Sequence, residues 1–283
     1  MQIFNSIIPL KKKIKYFTQN ELSIGFVPTM GALHEGHASL LRRSRRENDI
    51  SILSIYVNPS QFDHKKEDFS SYPRDKKKDI LLAKKENVDI IFLPSNKIIY
   101  PKGFCSYIVN EGLTQTLCGR SRPGHFRGVT TIVGKLLNII QPNTVYLGQK
   151  DAQQAIVLTQ MVKDLNYPCK VKICPTVREK DGLAMSSRNI YLSPSERKEA
   201  SILYQSLKES AGLIKAGERK AQAITSFIRT NIQKNTSAVI DYVECVHTDN
   251  LQPIKQIKGK ILIALAVKFS KARLIDNIMI NTR

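Results

Sequence analysis

Val27-Pro-Thr-Met-Gly-Ala-Leu-His-Glu-Gly-His-Ala-Ser-Leu40 joins a predicted strand at residues 24–27 to a predicted helix that begins near Ala38. The turn between them contains glycines and the histidines His34 and His37. Backbone N–H groups at the start of a helix attract anions, and imidazole rings add further donors. The turn therefore predicts a site for a nucleotide phosphate. The alternative interpretation is an ordinary strand-to-helix connection with two surface histidines.

The composition is that of a globular protein large enough for one large or two ordinary domains. The chain has 283 residues, of which 42% are hydrophobic and 24% charged. No apolar run is long enough to span a bilayer, and no segment of the secretion-signal type follows the N-terminal lysines. The five cysteines form no CxxC pair, which favours reduced thiols over a disulfide framework. We therefore expect a cytoplasmic protein without a membrane partner.

The chain is strongly basic, with 44 Lys+Arg against 24 Asp+Glu and a net charge of +20. Such a charge can indicate binding to nucleic acid or to anionic small substrates. The lysines are scattered along the chain, and they are not interleaved with aromatic residues in one stripe. We therefore interpret most of the charge as solvated surface and expect no nucleic-acid partner.

The first part of the chain alternates between predicted strands and helices. Strands are predicted at residues 24–27, 49–57, 88–94, 144–147 and 170–174, and helices at 38–46, 76–87, 127–140 and 152–165. A polar loop is predicted at 63–75 and an irregular segment at 95–126. This alternation predicts a parallel sheet wrapped by helices. Because ligands of such sheets bind beyond the carboxyl ends of the strands, we expect the polar turns 29–37, 58–62 and 148–154 to converge.

After Pro175 the pattern changes. A polar connector at 176–189 precedes a helix start at Ser193-Pro194, and helices then extend to about residue 233. Strands are predicted near 240–246, 261–267 and 273–280. Helices followed by strands indicate a smaller α+β domain, so we predict domains at 1–175 and 176–283.

Three groups of polar residues suit phosphate chemistry: the two histidines, Lys150 with Asp151, and the connector residues 186–188. The amide side chains of Asn58, Gln61 and Gln154 suit an uncharged polar group. A structural zinc site is the competing interpretation of the histidines, but their spacing is not HExxH and no cysteine lies nearby. We therefore predict no metal-ligating residues.

Several longer motifs are familiar in this order and spacing: PTMGALHEGH at 28–37, VNPSQF at 57–62, YPRD at 72–75, GHFRGV at 124–129, GQKDAQQ at 148–154, DGLAMSSRN at 181–189, DYVECV at 241–246 and ALAVKFSKARLIDN at 264–277. Through them the chain resembles, nearly end to end, the pantoate–β-alanine ligase family of the HxGH nucleotidyltransferase superfamily.

The resemblance implies a Rossmann-like ATP- and pantoate-binding domain, a smaller C-terminal lid domain and a homodimer. It implies that ATP, with Mg²⁺, (R)-pantoate and β-alanine give pantothenate, AMP and pyrophosphate. Pantoate would first attack the α-phosphate of ATP to form pantoyl adenylate, and the amine of β-alanine would then displace AMP.

The resemblance also assigns residues, all given by their numbers here. The ATP-binding set is Met30, Gly31, Ala32, Leu33, His34, Glu35, Gly36, His37, Gly148, Gln149, Lys150, Asp151, Val177, Met185, Ser186, Ser187 and Arg188. Gln61 and Gln154 correspond to pantoate ligands, and Gln61 with Asn58 to the β-alanine site. The catalytic set is His34, His37, Lys150 and Arg188. The family places its proton donor at His37, but a carboxylate nucleophile is already ionised at pH 7. We therefore interpret both histidines first as stabilisers of phosphate charge.

Two arginines, Arg122 and Arg127, border a loop that we also expect to reach substrate. Gln149 and Ser270 depart from the common glutamate and glycine of the family, and Ser270 is expected to loosen or re-aim its turn. One rival is another HxGH adenylyltransferase, which would lack the VNPSQF and GQKDAQQ pairing. The other is a basic nucleic-acid-binding protein whose nucleotide-binding fold has lost its catalytic activity. Such a protein would bind nucleic acid in a strongly salt-dependent way.

Overall fold

A computed structural model describes residues 1–62, 69–70 and 72–282. The chain forms two compact units. The first contains Met1–Glu111, Arg122–Gln149 and Val157–Pro175, and the second contains Gly112–Ser121, Lys150–Ile156 and Thr176–Arg283. The functional division at 175 and 176, with an ATP- and pantoate-binding domain before it, stays a prediction.

The first unit is built on a parallel sheet. Within the described residues its strands are β1 (Gln2–Phe4), β2 (Ile24–Thr29), β3 (Ile50–Ile55), β4 (Ile90–Phe92), β5 (Thr144–Gly148) and β6 (Lys170–Cys174). Their order is β1-β4-β3-β2-β5-β6, and every pairing is parallel. The chain winds outward in one direction from β2 and in the other from β5. The carboxyl ends of these two neighbours therefore flank the switch point at which ligands of such sheets bind.

Helices follow the strands of this unit, and the alternation predicted those at 38–46, 76–87, 127–140 and 152–165. They are α1 (Ile7–Gln19), α2 (Glu35–Glu47), α3 (Lys76–Lys85), α4 (Asn96–Ile99) and α6 (His125–Ile140), while α7 (Ala152–Asp164) begins in the second unit and ends in the first. The apolar stripe of α6 is buried as its 3.6-residue spacing requires, at Val129, Ile132, Val133, Leu136, Leu137 and Ile140. Val27, Leu41, Leu53, Ile91 and Tyr146 share another buried cluster of the sheet.

The second unit combines helices with an antiparallel sheet. It contains α5 (Leu117–Ser121), α8 (Pro194–Glu199), α9 (Ser201–Lys215) and α10 (Ala221–Asn235), followed by β7 (Val239–His247), β8 (Gly259–Lys268) and β9 (Arg273–Thr282) in the order β7-β8-β9. The buried faces of α9 and α10 share one apolar cluster with β8, which includes Leu207, Ile228 and Ile263. The predicted fold class, α/β with a smaller α+β part, is confirmed.

Some boundaries differ from the sequence-based expectation. The segment predicted to be irregular over 95–126 contains α4 and α5, which are too short for periodicity to reveal. Of the polar loop predicted at 63–75, residues 63–68 and 71 lie outside the described residues. Among the helices of the described part, none combines the length and apolar character needed to cross a membrane.

Candidate active site

The histidines of the opening turn cap the helix that follows them. His34 is the N-cap of α2, and its ring Nδ1 accepts the N–H of Gly36 at 3.1 Å. His37 reaches back, and its Nδ1 accepts the N–H of His34 at 3.3 Å. The two ring centroids are 4.1 Å apart. This reciprocal arrangement is a capping box in which imidazoles take the usual places of Ser and Glu.

The cap sets the tautomer of both rings. A nitrogen that accepts a backbone N–H carries no hydrogen, so in each neutral imidazole the hydrogen resides on Nε2. His34 and His37 therefore present N–H donors at Nε2. Such donors can stabilise phosphate charge, whereas a general base would need a lone pair at that position.

Several backbone N–H groups of this segment bond within the protein. We expected N–H groups at the helix start to face an anion, but those of Gly36 and His37 donate to His34. The N–H of Gly31 donates to Thr29 Oγ1 at 3.2 Å, and those of Ala32 and Leu33 donate to the carboxylate of Asp79 at 3.0 and 2.7 Å. The imidazoles therefore replace the backbone as the proposed phosphate donors. The sequence pointed to no role for Asp79, because an acidic residue in a first helical turn is explained by the helix dipole alone.

A cluster of amide side chains lies beside the same turn. Asn58 caps a short 3₁₀ helix, Pro59–Gln61, and its Nδ2 donates to Gln61 Oε1 at 3.2 Å and to the Gly128 carbonyl at 3.0 Å. Gln61 Nε2 then points to Met30 Sδ, 3.0 Å away. The structure thus brings together the predicted residues Met30, Asn58 and Gln61 in the first unit.

Asn58 is fully buried and bonded to protein at both ends of its amide. Its Oδ1 accepts the hydroxyls of Tyr100 at 2.8 Å and Ser60 at 2.9 Å. Asn58 thereby fixes which end of the Gln61 amide is turned toward Met30. Its contact with β-alanine stays a prediction.

The segment at 122–128 packs against the same 3₁₀ helix. His125 Nδ1–H donates to the Gln61 carbonyl at 2.8 Å, and Arg122 Nη1 donates to His125 Nε2 at 3.0 Å. Arg127 instead stacks on the ring of Tyr107, with its guanidinium carbon 3.4 Å from the ring centroid. Arg122 therefore lies near a predicted pantoate residue, whereas Arg127 has an aromatic partner. The substrate contact of each stays a prediction.

Glu35, at the first position of α2, forms an ion pair with Arg42 on the surface of the helix.

The segment predicted as the second nucleotide turn begins at the end of β5. Gly148 is the last residue of β5, and Gln149 is the first residue of the 3₁₀ helix Gln149–Asp151. Gln154 is half-buried near the start of α7. Its neighbour Gln153 is buried and donates to the carbonyls of Leu113 and Thr116, both at 2.9 Å.

In the second unit, Lys150, Ser186 and Arg188 line one pocket together with Arg273 and Asp276. The carbonyl of Lys150 accepts Asn277 Nδ2–H at 2.9 Å, which ties the predicted phosphate-binding turn to β9. The Lys150 ammonium is 3.6 Å from the Asp151 carboxylate. Arg273 and Asn277 belong to the motif at 264–277, but sequence reasoning gave neither of them a role.

The connector residues form a tight loop that an ion pair joins to β9. The Met185 N–H donates to the Val177 carbonyl at 3.0 Å, and Ser186 Oγ accepts the Arg188 N–H at 3.2 Å, which caps the 3₁₀ helix Ser187–Tyr191. Arg178 makes a two-pronged contact with the Asp276 carboxylate, at 2.7 and 2.9 Å. Its guanidinium also stacks on Tyr204. The connector is thus held independently of any ligand.

The donors assembled here suit anions rather than a protein-held cation. Among the residues that the structure describes, no group of three or more His, Cys, Asp or Glu side chains is placed to hold a metal ion. Magnesium commonly binds through substrate phosphates and few protein carboxylates. The described residues therefore do not form a magnesium cage.

Comparison with known proteins places these features in one family. The sequence model described as Pantoate-beta-alanine ligase matches residues 2–279. Pantothenate synthetase from Acetivibrio thermocellus is 55% identical over 282 residues, which cover 99% of each chain. The crystal structure of pantothenate synthetase from Thermus thermophilus is similar with a TM-score of 0.93 and 39% identity, and covers 98% of this chain and 99% of that one.

A third comparison involves a ligand complex. The structure of pantoate-β-alanine ligase from Francisella tularensis, complexed with β-γ ATP and β-alanine, matches with a TM-score of 0.81 and 36% identity. The match covers 99% of this chain and 97% of that one. Because the family model and relatives of this identity match almost the whole sequence, the chain belongs to the pantoate–β-alanine ligase family.

Proposed function

We propose that this chain condenses (R)-pantoate with β-alanine at the expense of ATP, giving pantothenate, AMP and pyrophosphate through pantoyl adenylate. Membership of the family supports this reaction. The observation that carries the site assignment is the cluster of Met30, Asn58 and Gln61 beside the histidine cap.

The first step is attack of the pantoate carboxylate on the α-phosphate of ATP, with departure of pyrophosphate. The carboxylate is ionised at neutral pH, so this step needs no general base. We propose that the Nε2–H groups of His34 and His37 donate to phosphate oxygens as negative charge develops. The cations Lys150 and Arg188 and the hydroxyls of Ser186 and Ser187 are proposed to bind ATP in the same way.

The remaining members of the ATP set are proposed to shape the nucleotide site: residues 30–33, Glu35, Gly36, Gly148, Gln149, Asp151, Val177 and Met185. Asp151 suits the ribose hydroxyls, and the backbone at Val177 suits adenine. Gln61 is proposed to bind pantoate through its Nε2–H group. Because Gln61 Oε1 accepts a hydrogen bond from Asn58, the Nε2 end of the amide points away from Asn58. Gln154 is the second proposed pantoate ligand.

The second step is attack of the neutral amine of β-alanine on the acyl carbon of the adenylate. The new C–N bond forms, the C–O bond breaks with AMP leaving on that oxygen, and the amine loses one proton to solvent water. Asn58 and Gln61 are proposed to bind β-alanine.

Residues 176–283 are proposed to act as a lid, because exclusion of water would protect the adenylate from hydrolysis.

Three further features are proposed from the family resemblance. Mg²⁺ is proposed to arrive on the phosphates of ATP, consistent with the absence of a carboxylate cage among the described residues. A homodimer is proposed, and light scattering of the purified protein would measure its mass. A cytoplasmic location is proposed, in keeping with cysteines that form no disulfide.

The proposed function is tested by isotope exchange. Labelled pyrophosphate should enter ATP when pantoate is present without β-alanine, and AMP should accumulate only when both substrates are added. Exchange without pantoate, or with a different acid only, would contradict the assignment and favour another HxGH adenylyltransferase. Nucleic-acid affinity with no substrate-dependent use of ATP would favour the binding protein instead.

A further inference from the structure

A buried carboxylate supports the turn that carries the histidine cap. Asp79 lies in the first turn of α3 and is 3% exposed. Its Oδ2 accepts the N–H of Ala32 at 3.0 Å, and its Oδ1 accepts the N–H of Leu33 at 2.7 Å. One carboxylate therefore holds two consecutive peptide N–H groups, one with each oxygen.

The turn needs such support because its backbone is strained. Gly31 has φ +81° and the next residue, Ala32, has φ +51°. Alanine enters this left-handed region only at a free-energy cost, so a surrounding contact must hold it there. The two N–H groups that Asp79 binds belong to Ala32 and to the residue that follows it.

Asp79 also packs directly on the turn. A Cβ atom added to Gly31 would lie 2.8 Å from Asp79 Oδ2 and 2.9 Å from Ile55 Cγ2. Only a glycine leaves room for the carboxylate at this distance. A side chain at position 31 would therefore displace the Asp79 carboxylate from its contact with the turn.

The helix that carries Asp79 does not need this carboxylate as a cap. Asp75 is the N-cap of α3, and its side chain accepts the N–H of Lys78 at 3.0 Å. Burial of Asp79 carries a cost, since burial raises the pKa of this carboxyl group while the two N–H groups oppose the rise. The contacts of the buried group with Ala32 and Leu33 account for its place better than helix capping does.

We propose that Asp79 is a positioning residue for the nucleotide: it fixes the turn from Gly31 to Leu33 and thereby the placement of the His34 and His37 rings. The proposal rests on the proposed function, because it assumes that these rings contact ATP. His34 follows Leu33 directly and is the N-cap of α2. A shift of the Leu33 peptide would therefore move the ring donors away from the phosphate oxygens.

Asp79→Asn tests this role with little change in shape. The Asn amide has one oxygen, so one of the two N–H groups loses its acceptor and faces an NH₂ group. We expect kcat/KM for ATP to fall roughly ten- to a hundredfold, the loss typical of small misplacements. KM for β-alanine should stay close to its wild-type value. Asp75→Ala is the matched control, because it removes the cap of the same helix without touching the turn.

The outcomes separate the two hypotheses. If the wild-type protein shows no pantoate-dependent exchange of pyrophosphate into ATP, the proposed function fails. If the wild type exchanges and Asp79→Asn matches Asp75→Ala in kcat/KM for ATP, the positioning role is overturned. An equal rise in the KM values of all three substrates would overturn it as well.

Gly31→Ala provides a second route if Asp79→Asn does not fold. It disturbs the same contact from the side of the turn and retains the carboxylate. The same ATP-specific loss is expected. Unchanged ATP kinetics in this variant would overturn the proposal.

Discussion

His37 accepts the backbone N–H of His34 at its ring Nδ1, with 3.3 Å between the two nitrogens. The bond places the ring hydrogen on Nε2. The Nδ1 atom of His37 therefore caps the helix, and its Nε2–H is the group that we propose to contact phosphate. Substitutions that copy one of these nitrogens at a time can therefore distinguish a phosphate donor from a base.

In His37→Asn the side-chain amide lies near the position of the ring Nδ1. In His37→Gln the longer side chain can place an amide N–H near the position of the ring Nε2–H. If Nε2–H stabilises phosphate, His37→Asn should lose about 10²–10³ in kcat, while His37→Gln should lose much less. Both variants should keep most of their stability, because Asn Oδ1 and Gln Oε1 can each accept the His34 N–H that the ring accepts now, and Gln is a usual residue at this position of a capping box. Steady-state kinetics and urea unfolding measure both effects.

His247→Asn, at the exposed end of β7, is the control and should turn over normally. Equal losses of kcat in both His37 variants would argue for proton transfer by the ring and against the donor role.

Lys150→Ala should lower kcat by about 10²–10³ with little loss of stability. The turn itself is held through the Lys150 carbonyl by Asn277, a contact that survives loss of the side chain. The ammonium has a carboxylate at 3.6 Å in Asp151, a separation at which partly exposed pairs contribute little. Thermal unfolding would verify the fold, and Lys163→Ala, at an exposed position in α7, is the matched control. Normal turnover of Lys150→Ala would exclude the phosphate role.

Gly128→Ala should damage the pantoate site through the backbone. A Cβ at Gly128 would lie 2.4 Å from the Ser60 carbonyl oxygen and 2.7 Å from the Gln61 nitrogen. Because backbone atoms cannot move aside as a side chain can, the 3₁₀ helix that bears Gln61 must shift. We expect a loss of about 1–3 kcal/mol in the free energy of unfolding and a raised KM for pantoate.

Gly212→Ala is the control for that substitution. It also lies within a helix, α9, but nothing stands within 4 Å of the added Cβ. It should gain up to about 1 kcal/mol from helix propensity and leave KM unchanged. A normal KM for pantoate in Gly128→Ala would show that the contact does not position Gln61.

Glu196 should make stability depend on acidity. Hydrogen bonds from the N–H groups of Ser193 at 2.8 Å and Ser270 at 2.9 Å lower the pKa of this carboxyl group from 4.5 to about 2. Its contribution is therefore complete above the unfolded-state pKa and is lost as the pH falls toward about 2.

Melting temperatures of the wild type and Glu196→Gln would test this dependence. The difference between the two proteins should be constant near neutral pH and should shrink below about pH 4.5. A difference that does not change with pH would exclude the linkage. The Ser270 N–H contact also restrains the turn that we expected Ser270 to loosen.

Local pattern was sufficient for the longer elements and the family. The stripe from Val129 to Ile140 repeats every three to four residues, which only a helix can bury on one face. The strand–turn–helix layout at 24–40 likewise follows from neighbouring residues, as does the Ser193 cap with its glutamate three positions on. Such features depend on contacts over a few residues, so they can be read before the chain is folded.

Tertiary structure alone decided which distant residues hold the two predicted phosphate-binding turns. Asp79 is 47 residues from Ala32 and accepts the N–H group of this member of the predicted ATP-binding turn. Asn277 is 127 residues from Lys150 and holds its carbonyl. No local pattern encodes either pairing, because a buried hydrogen bond depends on which elements the sheet brings together. The 27–40 stretch thus specified a histidine turn at a helix start, and folding determined that its rings, rather than its peptides, are the proposed donors to phosphate.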